Sequence, residues 1–437
     1  MKNGSSGSVS FDMRETIFAI SWRIALLLLP WQTRWIFSEG NLGEFGWEQG
    51  TLAIYASWLL LALAIATAPE KRGESSPRFT PLQAWGVMLL VAVTAFTSSV
   101  QATLLFWAHL LILFYFFHCL IRAHVSLAQV SAWFVVSIVP HAALGVVQFL
   151  NQDVAASTIL GIAAQDSAQS GVSVVEHGLY RVLRAYGGMP HPNILGGYLA
   201  IGLTLLPTLA VTTESKFARL AVFFTGLLFT IALVFTFSRG AWIAALLGFG
   251  FAIVFAYRRS HDTAARQSAI LLVIFIAAAA GFGVVTQFDH IAARFQPEHR
   301  LEAWSFTQRR TAIQEGFEAW KERSMFGWGP GASKIGILHV RDEDSPQIPP
   351  EPPHAVPFVA MLETGILGLL GIFLLCAGLW RSVSMRAIWQ IAPFLAATFT
   401  VMATDHYLWT LWAGQSLLAV LIYFVIKIAE PSQAPGA

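Results

Sequence analysis

Apolar residues recur along the chain in blocks of about 20, the length a helix needs to cross the hydrocarbon core of a bilayer. The blocks fall at 16–37, 50–69, 83–99, 103–121, 127–149, 193–213, 218–237, 240–257, 268–288, 355–379, 387–404 and 407–428, about twelve spans. No convincing small-residue cleavage site follows the first block, so it is read as a retained span. Most polar breaks are short, but those at 150–192 and 289–354 are long, and the second has two halves. HIAARFQPEHRLEAWSFTQRRTAIQEGFEAWKERS sets Leu301, Trp304, Ile313, Phe317 and Trp320 at helical spacing among charges, which predicts amphipathic helices along a membrane surface. FGWGPGASKIGILHVRDEDSPQIPPEPPH is rich in Gly and Pro and is expected to be irregular. No internal repeat of fixed period is visible. The pattern predicts an all-α polytopic membrane protein: a tail at 1–15, spans one to nine over 16–288, the large loop at 289–354, spans ten to twelve over 355–428, and a tail at 429–437.

Composition agrees, with 56% hydrophobic and 12% charged residues, and a net charge of only +2 offers no whole-chain argument for a nucleic-acid partner. Read loop by loop, charge is informative. KRGESSPR (71–78), RAH (122–124), ESKFAR (214–219), YRRSHDTAARQ (257–267) and WRSVSMR (380–386) fall on one side if the helices alternate. Positive residues in short loops stay cytoplasmic, which assigns that side to the cytoplasm. Both long loops are then external, with the acidic segment of Glu39, Glu44 and Glu48. Cys119 and Cys376 lie in separate apolar runs, which indicates neither a disulfide framework nor a metal-binding cluster.

Arginine is unexpected on the external side, yet Arg181, Arg184, Arg239, Arg300, Arg309 and Arg310 all fall there. Taken alone, Arg300 or Arg310 is more simply a solvated charge or a lipid-headgroup contact. Arg239 differs, because it interrupts an uncharged, largely apolar sequence from Leu220 to Ala256, where an ionisable group is costly without a site or a partner. Guanidinium groups form bidentate hydrogen bonds to phosphate oxygens, so several near one interface suit a lipid-linked phosphate or diphosphate. Among the histidines, His109, His118 and His141 read as core residues, and no metal-ligand spacing is present. His191 precedes Pro192 and Asn193 at the start of a span, a position equally suited to helix capping by Asn193. His354 follows two prolines and begins an apolar run, where a ring can face an external cavity and accept a proton from a hydroxyl.

His354, Ala355, Gly365 and Gly368 resemble the motif of the O-antigen ligase family: His, usually then Asn, Ser or Gln, nine residues, Gly, two residues, and Gly, Thr or Tyr. Ala355 departs from that pattern. RxxGGMPHPN (184–193), SRGAW (238–242) and Arg309 ahead of GWGPG resemble the wider ligase and polymerase superfamily over roughly the C-terminal two thirds of the chain.

The resemblance implies a GT-C-like, metal-independent transferase without cofactor. It would move a glycan from undecaprenyl diphosphate to the lipid A core, among membrane lipids, at the periplasmic face of the bacterial inner membrane. In this reading Arg184, Arg239, Arg309 and Arg310 hold the leaving diphosphate and His354 is the base that activates the acceptor hydroxyl, with inversion. His191, Asn193 and Asp405 would support them, Asp405 being the acid the family keeps about one helix after the histidine. An O-antigen polymerase or a protein O-oligosaccharyltransferase would share the donor. A transporter would show broken helices near the midplane and a halved organisation, and neither pattern is evident. Arg23 and the Pro140–His141 pair find no role in these readings.

Overall fold

The computed structural model describes residues 13–69, 80–178, 180–260, 262–296, 300–341, 348–381 and 383–429. The charge cluster at 71–78 and most of both terminal tails lie outside the described residues. Helices run α1 Met13–Leu28, α2 Ala56–Thr67, α3 Pro81–Thr94, α4 Val100–Arg122, α5 Leu127–Asn151, α6 Pro192–Thr212, α7 Lys216–Phe235, α8 Arg239–Arg259 and α9 Thr263–Thr286. They continue with α10 Phe288–Ala293, α11 Arg300–Glu322, α12 Ser333–Val340, α13 Val356–Trp380, α14 Met385–Thr404, α15 Tyr407–Thr410 and α16 Trp412–Ala429. The chain is thus an all-α polytopic membrane protein with a few short two-stranded ribbons.

Among the described residues nine helices are long and apolar enough to cross a membrane: α4 to α9, α13, α14 and α16. The first three expected spans are shorter. At ~1.5 Å per residue, the 16, 12 and 14 residues of α1, α2 and α3 reach roughly 24, 18 and 21 Å, less than a ~30 Å core. The chain beyond α1 turns at Pro30 and becomes extended, where Arg34–Ser38 pairs antiparallel with Leu52–Tyr55 just before α2. The aromatic and β-branched residues there, Trp35, Ile36, Phe37 and Ile54, suit a pleated ribbon better than a helix.

Side-chain caps start many of the helices: Ser126 and Thr80 form capping boxes with Gln129 and Gln83, and Ser215, Asp262 and Ser384 each accept from an N–H of the first turn. Short connections make the long helices alternate in direction. Arg122, Lys216, Arg258, Arg259, Arg381 and Arg386 therefore gather at one end, and the two long connections at the other. The core surrounds α6, which is buried along nearly its whole length among α5, α7, α8, α9 and α14. A Cβ at Gly240 would lie 2.4 Å from Thr404 Oγ1, so glycine there lets the start of α8 close on the end of α14.

The large loop holds α11 where amphipathic spacing places a helix. The Gly/Pro half is not wholly irregular, because it contains α12, which buries Ser333, Gly336 and Ile337. The apolar run at 355–379 reads as one unbroken span, but α13 is interrupted at Gly365, with φ 63° and ψ −169°, a region essentially confined to glycine. The freed Ile366 and Leu367 N–H groups donate to Ser324 and Met325 carbonyls (2.9 and 3.2 Å). Trp328 and Gly329 N–H groups donate to Leu362 and Glu363 carbonyls (3.1 and 2.7 Å), so the loop seals the break it causes.

Candidate active site

At the end of the bundle that carries the long loops, a cavity of about 170 Å³ is lined by Asn193, Arg239, Arg294, Arg309, Asp405 and Tyr407, among others. The first turns of α6 and α8 both open onto it, and their backbone N–H groups and dipoles favour negative charge.

Arg239 is the first residue of α8, where its positive charge opposes the helix dipole and calls for compensation. Its Nη1 donates to the Arg294 carbonyl (2.6 Å) and its Nη2 to Glu302 Oε2 (3.0 Å). The other oxygen of Glu302 pairs with Arg294, whose Nε also donates to the Phe237 carbonyl (3.3 Å). One carboxylate thus serves two guanidinium groups. Arg309, half-buried, lines the cavity with no hydrogen-bond or ion-pair partner among the described residues, and the cavity keeps an excess of positive charge.

Arg184 is buried beneath this layer, donating from Nε to the Thr236 carbonyl (2.6 Å) and from Nη2 to Asn193 Oδ1 (2.7 Å). Burial, with the nearby Arg294 guanidinium, pushes its pKa down to about 9. The network continues from Asn193 Nδ2 to Asp405 Oδ2 (2.8 Å), while Asp405 Oδ1 accepts from the His406 N–H (2.7 Å). That oxygen stands 4.0 Å from His354 Nδ1, and His354 Nε2 is 3.6 Å from Glu351 Oε2. His354 is 24% exposed, and its Nδ1 is buried without a hydrogen bond.

These groups perturb one another. Burial pushes the Asp405 carboxyl up, but His406, His354, His191 and the Asn193 amide together hold it below the usual range. The His354 ring, 3.6 Å away, lowers the Glu351 carboxyl against its burial. Burial lowers His406 to about 4 despite Asp405, and burial with Arg184 lowers His191 to about 3. His191 is accordingly a neutral ring with both nitrogens engaged: Nδ1 accepts the Asn193 N–H (3.1 Å) and Nε2 meets Ser173 Oγ (2.8 Å). It is the N-cap of α6, the role also open to Asn193, and this frees the Asn193 side chain to bridge Arg184 and Asp405.

Of the arginines expected to clamp a diphosphate, Arg239 and Arg309 line the cavity, Arg184 is buried behind it, and Arg310 is exposed and outside its lining. Asn193 and Asp405 line it as well. Residues 221–373 match the family model described as O-antigen ligase. That segment is similar to the O-antigen ligase family. The match supports a relation of this segment to the ligase and polymerase superfamily, whose members are glycosyltransferase-like enzymes. No curated protein matches the chain. The O-antigen ligase segment contains Arg239, Arg294, Glu302, Arg309 and His354, while Arg184, His191, Asn193 and Asp405 come from outside it.

Sequence reasoning about the ligase motifs passed over Arg294, Glu302, Glu351 and His406. Only His406 had a local signal, its adjacency to Asp405 in ATDHYLW. The Asp405–His406 turn and His354 set one potential ligand atom each within 4.8 Å of one another, a convergence that spacing along the chain does not show. Two features that the ligase reading left unassigned hold backbone groups: His141 Nδ1 on α5 accepts the Gly188 N–H (3.2 Å), and Arg23 bonds the Ala19 carbonyl (2.5 Å) beside the Trp22 ring.

Proposed function

We propose that the protein is an O-antigen ligase that transfers a glycan from undecaprenyl diphosphate to the lipid A core oligosaccharide. The observation that carries this reading is the double contact of Asp405, which lines the arginine cavity and also faces His354. The family match implies a lipid-linked glycan as substrate and a membrane setting. Arg239, Arg294 and Arg309 would hold the diphosphate, and Arg184 would act through Asn193 without reaching it. With Nδ1 turned to Asp405, His354 Nε2 takes the proton as the acceptor oxygen bonds to the anomeric carbon. The anomeric C–O bond to the diphosphate breaks, and one direct displacement inverts the centre. The 4.0 Å between Asp405 and His354 exceeds hydrogen-bonding range, so bound substrate would draw them about 1 Å closer.

Guanidinium groups would take the place of a divalent cation at the leaving diphosphate. The end of the bundle bearing Arg122, Arg258, Arg259 and Arg381 is assigned to the cytoplasm and the site to the periplasmic side of the inner membrane.

Reconstitution with undecaprenyl-diphosphate glycan and a choice of acceptors tests the reading. Sugar joined to lipid A core is expected. A lengthened lipid-linked chain would mark a polymerase instead, and a glycosylated protein an oligosaccharyltransferase.

A further inference from the structure

Glu363 is an acid in the middle of an apolar span, fully buried. Burying a carboxyl there is costly unless it is hydrogen-bonded, and three N–H groups meet it. Gly331 N–H and the Trp409 indole Nε1–H donate to Oε2 (2.8 and 2.7 Å), and Ser333 N–H to Oε1 (3.3 Å). The donors belong to two separate pieces of chain. Gly331 and Ser333 end the GWGPGAS turn of the large loop, which already pairs with the α13 backbone across the break at Gly365. Trp409 is on α15, directly after Asp405 and His406, and its neighbour Thr410 bonds His406 Nδ1 (2.8 Å).

We infer that Glu363 is a positioning residue that ties the loop and the Asp405–His406 turn to α13, the helix that His354 precedes. The inference rests on the reading of His354 and Asp405 as the reacting wall. Both oxygens accept, so Glu363→Gln would turn an amide NH2 toward one of the three donors and lose at least one bond. The interruption at Gly365 follows from the same arrangement, because a Cβ there would meet Met325 O at 2.4 Å and push the loop away.

The test uses full-length protein in lipid nanodiscs and two readouts. Hydrogen exchange at the Gly331 and Ser333 amides should accelerate by about tenfold or more in Glu363→Gln. Turnover at saturating substrates should fall by about 10- to 100-fold, with the donor KM near wild type because the arginines are untouched. Trp409→Phe, which removes one donor and keeps a ring, should show a smaller loss in the same direction. The double variant should be no worse than Glu363→Gln alone. Unchanged exchange, wild-type turnover, or a loss accounted for by less folded protein overturns the inference. If Glu363→Gln does not fold, wild-type turnover in Trp409→Phe overturns it equally. A fully active His354→Ala enzyme would sink the base reading, whereas the exchange result decides the tie independently.

Discussion

Asp405 Oδ1 faces His354 Nδ1 at 4.0 Å while Asp405 Oδ2 accepts a 2.8 Å hydrogen bond from Asn193. One carboxylate therefore links the imidazole to the arginine layer through Asn193 and Arg184. In the proposed mechanism donor binding and acceptor activation would share this wall, and changes on either side can be read separately.

Arg309 and Arg239 should differ when removed. Loss of one stabilising donor typically costs about 10²- to 10³-fold in turnover, which is expected for both alanine variants. Arg309→Ala should melt like wild type because its guanidinium has no partner among the described residues. Arg239→Ala should melt lower, because Glu302 then loses one of its two cations. Arg310→Ala, exposed and outside the cavity lining, should stay near wild type on both measures. Wild-type turnover in both cavity variants contradicts the clamp.

Stability should fall in acid. His406 and His191 sit at about 4 and about 3 in the fold against an ordinary histidine value of 6.5, so the unfolded chain binds their protons first. Their contribution is complete above pH 6.5 and is lost as pH drops through those folded values. The lowered Asp405 and Glu351 carboxyls act in the same direction at lower pH. Melting temperature followed from pH 7 to 4 should decline, and His406→Asn, which keeps a polar atom toward Thr410, should flatten the decline. Parallel curves for the two proteins would contradict the burial of a neutral His406.

Much of this architecture can be read from the sequence, and the exceptions have physical causes. Nine long apolar blocks became spanning helices because lipid leaves a chain of that composition few alternatives. The blocks at 16–37, 50–69 and 83–99 gave shorter helices, and in the first two hydropathy cannot separate an apolar helix from the ribbon that pairs Arg34–Ser38 with Leu52–Tyr55. A glycine inside an apolar run gives no sign of a loop inserted beside it, so the break at Gly365 was invisible. In the candidate site, His354 stands out at the start of an apolar run, whereas Asp405 is suggested only by the family resemblance. Glu302 and Glu351 looked like ordinary loop acids because their partners are set by tertiary packing.

Ala355, where the family motif usually has Asn, Ser or Gln, is the N-cap of α13 and makes no side-chain cap bond. With φ −153° and ψ 122° its backbone already suits a capping residue. Ala355→Ser should stabilise the protein by about 1 kcal/mol with turnover unchanged. A lower melting temperature would show that the departure is accommodated in some other way.

Chelation provides a separate check on the leaving-group chemistry. EDTA should leave transfer intact, because guanidinium groups neutralise the diphosphate in this mechanism. Loss of activity restored by magnesium would assign that role to an ion, with His354, Asp405 and His406 the first place to look for its ligands.

The base assignment is tested most directly by turnover of His354→Ala at saturating donor and acceptor, with donor binding and thermal stability measured alongside. Removing a general base typically lowers the rate by about two to four orders of magnitude, and that loss is expected with donor affinity retained by the untouched arginines. His339→Ala, at an exposed position of α12, supplies the comparison and should be much milder. Near-normal turnover in a folded His354→Ala enzyme would contradict the account and leave arginine positioning as the main catalytic device.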